Sequence, residues 1–265
     1  MIGDIVGEPG LAALEKKLPS IIKDNNVDFT VVNGENSADG FGMTETTLRR
    51  IIACGADAVT SGNHVWEKRE FWNILNADKH VLRPANYPDG TAGRGWLCTE
   101  KAGQSWIVIN IQGREFMTPI DCPFRCFDRI LAHLNEQGEA ASSGICPVII
   151  VDFHAESSRE KEALGHYLDG RAALVAGTHT HVQTADEHIL PKGTAYISDL
   201  GMTGITKSVI GMDAKICMDR ARKQVLYRME PAAEIRSDNE NETGMQGIIA
   251  EIDAETGRAI SIKRI

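Results

Sequence analysis

The sequence has little positive charge. Its 265 residues include 28 lysines and arginines against 37 aspartates and glutamates, which gives a formal net charge of −9 with the histidines neutral. Counterion release, which drives broad binding to nucleic acids and anionic membranes, has the wrong sign for such a chain. Long nucleic acids and membrane surfaces are therefore not expected as partners. Any bound phosphate needs a local source of positive charge, such as a metal ion.

Long apolar runs are also missing. No stretch approaches the roughly 18 apolar residues that a membrane-spanning helix requires. Residues 1–7 contain neither the basic region nor the apolar region of a secretory signal peptide. These absences predict a cytoplasmic protein.

Cysteine pairs with the spacing of a metal site are absent. Only two of the six cysteines are close together, as C-x3-C, and no second pair completes a zinc cage. Reduced thiols packed as small apolar side chains are expected for a cytosolic chain. The cysteines are Cys54, Cys98, Cys122, Cys126, Cys146 and Cys217.

Short apolar segments alternate with helix-like segments, a pattern typical of layered α/β proteins. The pattern predicts strands at Ile2–Asp4, Thr30–Val32, Ala58–Thr60, Trp106–Ile111, Val148–Val151, Ala173–Ala176 and Ala195–Ile197. It predicts helices at Gly10–Asn25, Thr44–Cys54, Glu67–Leu75, Arg125–Gln137 and Ser158–Leu168.

No repeat and no long linker divides the chain, so a single domain is expected over residues 1–265. A closing hairpin is expected at about 247–265, after a polar loop at 237–244. Residues 113–130 are a candidate lid or dimer element. Only three residues precede Asp4, whereas a strand usually has about 5, so the natural N-terminus is expected to lie slightly further upstream.

Polar residues concentrate at the ends of the predicted strands, which is the edge where open α/β sheets bind ligands. Each element alone has a simpler reading, because an aspartate after a strand is a common turn former and a lone histidine is often structural. Together they supply the carboxylate, imidazole and amide ligands that a two-metal site needs. The residues are Asp4, Asn33, Glu35, Asn36, Asn63, His64, Asp152, His154, His179 and His181.

These motifs resemble the calcineurin-like metallophosphoesterases and, among them, the YmdB-like branch. The order is G-D, G-E-N, G-N-H, a lone histidine and G-x-H-x-H, and the resemblance covers essentially the whole chain. The matching stretches are residues 3–7, 33–40, 60–66, 82–86, 177–186 and 195–204. The resemblance implies a layered α/β/β/α sandwich with a metal site at the C-terminal ends of the strands.

The resemblance also implies a ligand set for two metal ions, with Glu35 bridging them. The first ion is assigned Asp4, Glu35, Asn36 and His181, and the second is assigned Glu35, Asn63, His154 and His179. Iron is the favoured metal, as divalent or mixed-valence ions, with manganese able to substitute and zinc less favoured.

Two departures from the wider superfamily are features of the YmdB-like branch. The D-x-H of the first strand is Asp4-Ile5-Val6 here, so its histidine ligand is absent. Glu35 stands where most relatives have a bridging aspartate. The Asn36 amide oxygen is the simplest replacement for the missing ligand.

The charge of such a site suits a phosphodiester. Two divalent ions bring four positive charges and the ligands Asp4 and Glu35 remove two, so about +2 remains before a bridging hydroxide binds. Such ions would lower the pKa of bound water and so supply a nucleophile for attack on phosphorus. His64 follows the assigned ligand Asn63 in the sequence, so it lies near the site without having to coordinate a metal itself. Histidine is a common general acid near neutral pH, which suits His64 to protonate the leaving alkoxide. The alternative role for His64 is to position the phosphate.

Small phosphodiesters are the expected substrates, and the resemblance favours 2′,3′-cyclic nucleotides such as 2′,3′-cAMP. Two alternatives remain open: a phosphomonoesterase that uses the same site, and a regulatory nucleotide-binding protein with little turnover. A metal-dependent amidohydrolase barrel fits poorly, because too few strands are visible and no bridging lysine is present. A homo-oligomer is compatible with the sequence.

Overall fold

The structure of the protein is a computed structural model that describes residues 1–137, 146–232 and 243–265. Its strands are β1 (Asp4–Ile5), β2 (Val31–Asn33), β3 (Ala58–Thr60), β4 (Trp96–Lys101), β5 (Gln104–Gln112), β6 (Val148–His154), β7 (Leu174–Thr178), β8 (His188–Ile189), β9 (Ala195–Ile197), β10 (Met202–Ile205), β11 (Thr243–Gly244), β12 (Ile248–Ile252) and β13 (Ala259–Arg264). Its helices are α1 (Gly7–Asp24), α2 (Glu45–Ala53), α3 (Phe71–Ala77), α4 (Pro123–Gln137), α5 (Ser158–Leu168) and α6 (Ala214–Lys223), with a 3₁₀ turn at Asn63–Trp66.

One layer is a six-stranded sheet with strand order β4-β5-β6-β7-β9-β8. Its central strands β5, β6, β7 and β9 are parallel, while β4 and β8 pair antiparallel at the two edges. Strand β6 is buried along its whole length. A parallel strand covered on both faces reads as a continuous apolar run, which explains why the sequence predicts β6 well.

The second layer is built from short strands. β1 pairs with β10 and β2 pairs with β3, both in parallel. A bridge between Ile2 and Val32 joins the two pairs. Strand β11 pairs with β10, and β12 with β13 forms an antiparallel hairpin at the end of the chain. Thr243 and Gly244 therefore lie in a strand, while residues 237–242 of the predicted polar loop are outside the described ranges.

Three apolar clusters show how the layers stack. The cluster between the two sheets includes Val31 and Ala58 from the second layer and Val108 and Ile150 from the first. A second cluster packs α4 and α5 on the outer face of the six-stranded sheet, and a third packs α1 and α2 on the outer face of the second layer. The order of layers is α/β/β/α, which confirms the fold class expected from the sequence.

Most predicted elements match the structure within a few residues, and the differences have local causes. The first strand comprises Asp4 and Ile5 rather than ending at Asp4, because β1 pairs with β10 from Met202 onward. Helix α6 is missing from the prediction although Asp213 caps it, accepting a hydrogen bond from the Ile216 N–H at 2.8 Å. No residue of α6 is buried and five of its ten residues are charged, so the segment lacks the apolar residues that marked the other helices.

Within the described ranges, none of the helices combines the length and apolar composition needed to cross a membrane.

Candidate metal centre

The face on which the two sheets meet changes from apolar to polar along the strands. In β6, Val148 and Ile150 belong to the core between the sheets, and Asp152 and His154 follow on the same face because side chains alternate with a period of two. Neighbouring strands change in the same direction. Their polar residues at the same end are Asn33, Thr60, Asn110, Gln112 and Thr178.

Three potential ligand atoms converge around the Nε2 atom of His154. Oε1 of Glu35 lies 2.9 Å from it, and Oδ1 of Asn63 and Nδ1 of His179 each lie 3.0 Å from it. The donor atoms of Glu35, His154 and His179 all lie within 4.8 Å of one another, so these three side chains form a group that could hold a metal ion. Together with Asn63, they are the residues that the sequence assigns to the second ion.

The residues assigned to the first ion surround the same group. The Asp4 carboxylate is fully buried, lies 4.0 Å from Nδ1 of His154 and accepts a hydrogen bond from the His179 backbone N–H at 3.2 Å. Asn36 is buried, and its amide nitrogen donates to the Gly40 carbonyl at 2.9 Å. Nδ1 of His181 lies 2.8 Å from the Ile210 carbonyl, which leaves Nε2 of that ring for another contact. We call Asp4, Glu35, Asn36, Asn63, His154, His179 and His181 the site cluster.

Three buried oxygens of the site cluster have no hydrogen-bond partner within the described ranges: Oδ1 of Asp4, Oε1 of Glu35 and Oδ1 of Asn36. The Glu35 atom lies near His154 Nε2 but not in hydrogen-bonding geometry. Leaving one buried acceptor unpaired costs about 1–3 kcal/mol, and more for a charged group. Orphaned acceptors beside histidine nitrogens, with no thiolate, form the donor set of a hard or borderline divalent ion. The residues present therefore fit a metal centre.

The buried carboxylates and histidines of the cluster shift one another's pKa values. Burial lowers the pKa of His154, but the carboxylates of Glu35, Asp4 and Asp152 outweigh it and raise that pKa to about 9. Burial raises the pKa of Asp4 to about 7, even though the neighbouring histidines act in the opposite direction. Burial also raises the pKa of Glu35, but the His154 ring outweighs it and holds that pKa at about 2. Burial and the charge of His154 lower the pKa of His179 to about 3. A neutral His179 ring can offer a lone pair to a metal.

Backbone geometry at the site is unusual. His179 and His181 have φ values of 101° and 63°, in the left-handed region that non-glycine residues rarely occupy. Such strain clusters at functional sites, where surrounding structure holds it. A side chain at Gly62 would overlap the ring of His154 and the carboxylate of Glu35, so only glycine fits there.

A second set of buried polar groups lies behind the site cluster, and all of its carboxylate oxygens are hydrogen-bonded. Oδ1 of Asp152 accepts from the Thr178 hydroxyl at 2.7 Å, and its Oδ2 accepts from the Asn33 amide at 3.1 Å and from the Thr60 hydroxyl. Burial raises the pKa of Asp152, while His154 and these hydrogen bonds act in the opposite direction.

Asp199 is the other buried carboxylate behind the site. It accepts from Nζ of Lys161 at 2.7 Å, from the Thr180 hydroxyl at 2.7 Å and from the Gly201 N–H at 2.8 Å. These contacts hold residue 180, between the two strained histidines. We call Asp152 and Asp199, with the groups that hydrogen-bond to them, the supporting network.

His64 lies beside the cluster. Its backbone N–H donates to Oε2 of Glu35 at 3.2 Å, while its ring packs edge-on against Phe41 with 5.0 Å between centroids. Nδ1 of His64 lies 3.4 Å from Oε1 of Glu67, and the side chain is 25% exposed. The backbone of His64 is therefore tied to the cluster, and its ring is partly exposed to solvent.

Comparison with known proteins places this geometry in a family. The model of the YmdB-like proteins matches residues 1–265. The chain belongs to the YmdB-like family. It is 44% identical over 264 residues to a 2′,3′-cyclic-nucleotide 2′-phosphodiesterase of Bacillus subtilis (strain 168), and the match covers 100% of this chain and 94% of that protein.

Two solved structures resemble this member of the YmdB-like family over its whole length. A crystal structure of a hypothetical protein from Thermus thermophilus has a TM-score of 0.87 and 38% identity, and the match covers 96% of that chain. A crystal structure of a novel phosphatase from Mycoplasma pneumoniae has a TM-score of 0.88 and 28% identity, and the match covers 90% of that chain.

Sequence reasoning did not find Glu156 or the roles of Asp152 and Thr178. Oε2 of Glu156 lies 3.1 Å from Nε2 of His179, on the side of the ring opposite His154. Outer carboxylates of this kind commonly orient histidine ligands. Glu156 follows the lone histidine of the YmdB-like pattern by two residues, but no motif marks it.

The candidate lid or dimer element at 113–130 has two parts. Residues from Pro123 onward form α4 and pack on the outer face of the six-stranded sheet. Before them, the Glu160 carboxylate accepts hydrogen bonds from the backbone N–H groups of Arg114 and Glu115 at 3.0–3.1 Å, while Phe116 is 88% exposed. A lid or dimer role for this segment stays a prediction.

Proposed function

We propose that this protein is a metal-dependent phosphodiesterase of small substrates, with 2′,3′-cyclic nucleotides as the preferred class. The observation that carries the proposal is the site cluster, in which buried oxygens without partners meet histidine nitrogens. The activity of the Bacillus subtilis relative, which is 44% identical over the full chain, supports the substrate class.

Seven residues would hold two ions in this proposal. Asp4, Glu35, Asn36 and His181 would hold one, and Glu35, Asn63, His154 and His179 would hold the other. The arrangement of the three histidines supports these roles: Thr178, Glu156 and the Ile210 carbonyl each contact one ring nitrogen and leave the other directed elsewhere.

Nitrogen and oxygen donors without thiolate suit iron or manganese, and zinc also uses such ligands. We propose iron, with manganese able to substitute. When bound, the ions would lower the pKa of a shared water and neutralise charge on the phosphate.

The residues around the ions would then bind and protonate the substrate. His64 is proposed to protonate the leaving alkoxide, because its ring is partly exposed beside the cluster and its backbone is tied to Glu35. Glu67 contacts the Nδ1 side of that ring, so Nε2 is the atom that would deliver the proton.

The substrate class is tested with metal-free protein reloaded with Fe²⁺ or Mn²⁺. Turnover is measured on 2′,3′-cAMP and on the corresponding nucleoside monophosphates. The proposal expects hydrolysis of the cyclic diester to exceed that of the monoesters. Faster monoester hydrolysis would instead support a phosphatase on the same site, in line with the phosphatase of Mycoplasma pneumoniae. Tight binding of the cyclic nucleotide without turnover would support a regulatory protein.

His64→Ala tests the proton donor. We expect metal content to be unchanged and kcat to fall by about 10²–10⁴-fold, the usual contribution of a positioned acid. An aryl diester with a good leaving group should be much less affected, because its departure needs no proton. Equal losses on both substrates would assign His64 to phosphate binding instead.

A further inference from the structure

We propose that Thr178 and Asp152 act as positioning residues that fix the tautomer of His154, so that its Nε2 atom carries a lone pair toward the metal centre. The proposal rests on the proposed function for its consequence in catalysis. Its physical content, the proton position on one ring, stands on hydrogen bonds within the chain.

The direction of the hydrogen bonds follows from what each group can donate. An aspartate carboxylate only accepts, so the single hydroxyl proton of Thr178 is directed to Asp152, 2.7 Å away. The Thr178 oxygen then acts as an acceptor for Nδ1 of His154, 2.9 Å away. With the proton on Nδ1, Nε2 of a neutral His154 has a free lone pair.

The groups around Nε2 of His154 favour the opposite tautomer, in which Nε2 carries the proton. The Thr178–Asp152 pair has to outweigh them. Oε1 of Glu35 and Oδ1 of Asn63 lie 2.9 and 3.0 Å from Nε2. The Asn63 oxygen can accept a hydrogen bond from Nε2, and the negative charge of Glu35 attracts a proton there even without hydrogen-bonding geometry. A proton on Nε2 would compete with a metal. The buried Thr178–Asp152 pair offers the other ring nitrogen a competing acceptor.

Asp152 is itself fixed from both sheets. It accepts hydrogen bonds from Thr60 and Asn33 of the second layer and from Thr178 of its own layer. Oδ1 of Asn33 also accepts the Glu35 backbone N–H at 3.1 Å. One buried carboxylate is thereby connected to the backbone of Glu35 and to the ring of His154.

The test replaces the hydroxyl without changing the shape of the side chain. In Thr178→Val, the ¹⁵N shifts of His154 should move from the Nδ1–H pattern toward Nε2–H, measured in the metal-free protein at a pH high enough for the ring to be neutral. The affinity for Mn²⁺, measured by calorimetry, should fall by about 10–100-fold, as for other outer ligand partners. Thr178→Ser keeps the hydroxyl and should restore both readouts to near wild-type values.

A second variant separates positioning from packing. Asp152→Asn keeps volume but replaces one acceptor oxygen with a donor amide, so it should weaken Mn²⁺ binding while the thermal unfolding transition remains cooperative. Wild-type tautomer and Mn²⁺ affinity in Thr178→Val would overturn the proposal, as would failure of Thr178→Ser to restore them. If the wild-type protein binds Mn²⁺ as expected but hydrolyses no phosphodiester, the proposed function fails and the positioning role stands.

Discussion

Asp4 and Asp152 are both completely buried carboxylates at the same end of the molecule, yet their surroundings differ. Both oxygens of Asp152 are hydrogen-bonded, and so are those of Asp199. In the site cluster, Asp4, Glu35 and Asn36 each keep one buried oxygen without a partner among the described residues. The carboxylate oxygens of the supporting network are all hydrogen-bonded within the chain, whereas the site cluster keeps acceptors that the proposed metal ions would use.

This contrast separates two uses of buried polar groups. A buried carboxylate whose oxygens are all hydrogen-bonded rigidifies the fold. Removing one of its partners leaves the desolvation cost of the charge uncompensated. A buried carboxylate that lacks hydrogen-bond partners destabilises the metal-free fold, and its use in the protein is to bind a ligand. The two regions should therefore respond to mutation in opposite ways.

Asp4→Asn should have the largest effect on activity. If Asp4 is the anionic ligand that we propose, its loss should lower turnover by more than about 10²-fold, beyond the range of changes to outer partners of a ligand. The free energy of unfolding of the metal-free protein at pH 8 should rise or stay unchanged. Burial raises the pKa of Asp4 to about 7, and each unit of that rise corresponds to about 1.4 kcal/mol against the charged form.

Parallel measurements of turnover and urea unfolding check this prediction. A large loss of stability in metal-free Asp4→Asn would remove the distinction between the two regions.

Lys161→Met should have the largest effect on stability. The Lys161–Asp199 pair is buried, so removal of the cation leaves an unpaired carboxylate and should cost about 3–5 kcal/mol in the free energy of unfolding. Arg159→Ala on the same helix is the matched control. Arg159 pairs with Glu115 but its side chain is 81% exposed, so its loss should cost less than about 1 kcal/mol. Similar losses in the two variants would contradict the assignment of Asp199 to the supporting network.

Gly62→Ala should have a smaller effect on stability and a clear effect on metal binding. The added methyl group overlaps the ring of His154 and the carboxylate of Glu35. Overpacking of this kind costs about 1–3 kcal/mol, and displaced ligands should lower the calorimetric affinity for Mn²⁺. Gly90→Ala is the control, because a Cβ at Gly90 meets no atom within 4 Å. Its left-handed φ should lower stability slightly and leave Mn²⁺ binding unchanged.

The site cluster was predictable because its members occupy fixed motifs. Glycines mark the close approaches, as at Gly62, and each ligand follows a recognisable apolar strand. The α/β order was predictable for a similar reason, since apolar runs at the start of β6 and in β7 stand on either side of helix α5.

The supporting network was harder to predict. Asp152 lies between Val151 and Phe153, so the segment reads as a buried strand with one polar residue. Only the alternation of faces, with Val148 and Ile150 leading to Asp152 and His154, indicates that the polar end belongs between the sheets. Lys161 lies on a helix, and its pairing with Asp199, 38 positions along the chain, leaves no local signal.

The parallel register of β5, β6 and β7 has a consequence for how the chain tolerates changes in length. His154 is aligned with Gln112 on one side and Thr178 on the other. Inserting one residue within one of these strands would exchange its two faces beyond the insertion. In β6 this would turn Asp152 and His154 toward α4 and α5 and bring the apolar side chain of Phe153 toward the site. Insertions and deletions should therefore be excluded from the strands and from the turns that follow them. The turn between β12 and β13, at the far end of the chain, should tolerate both.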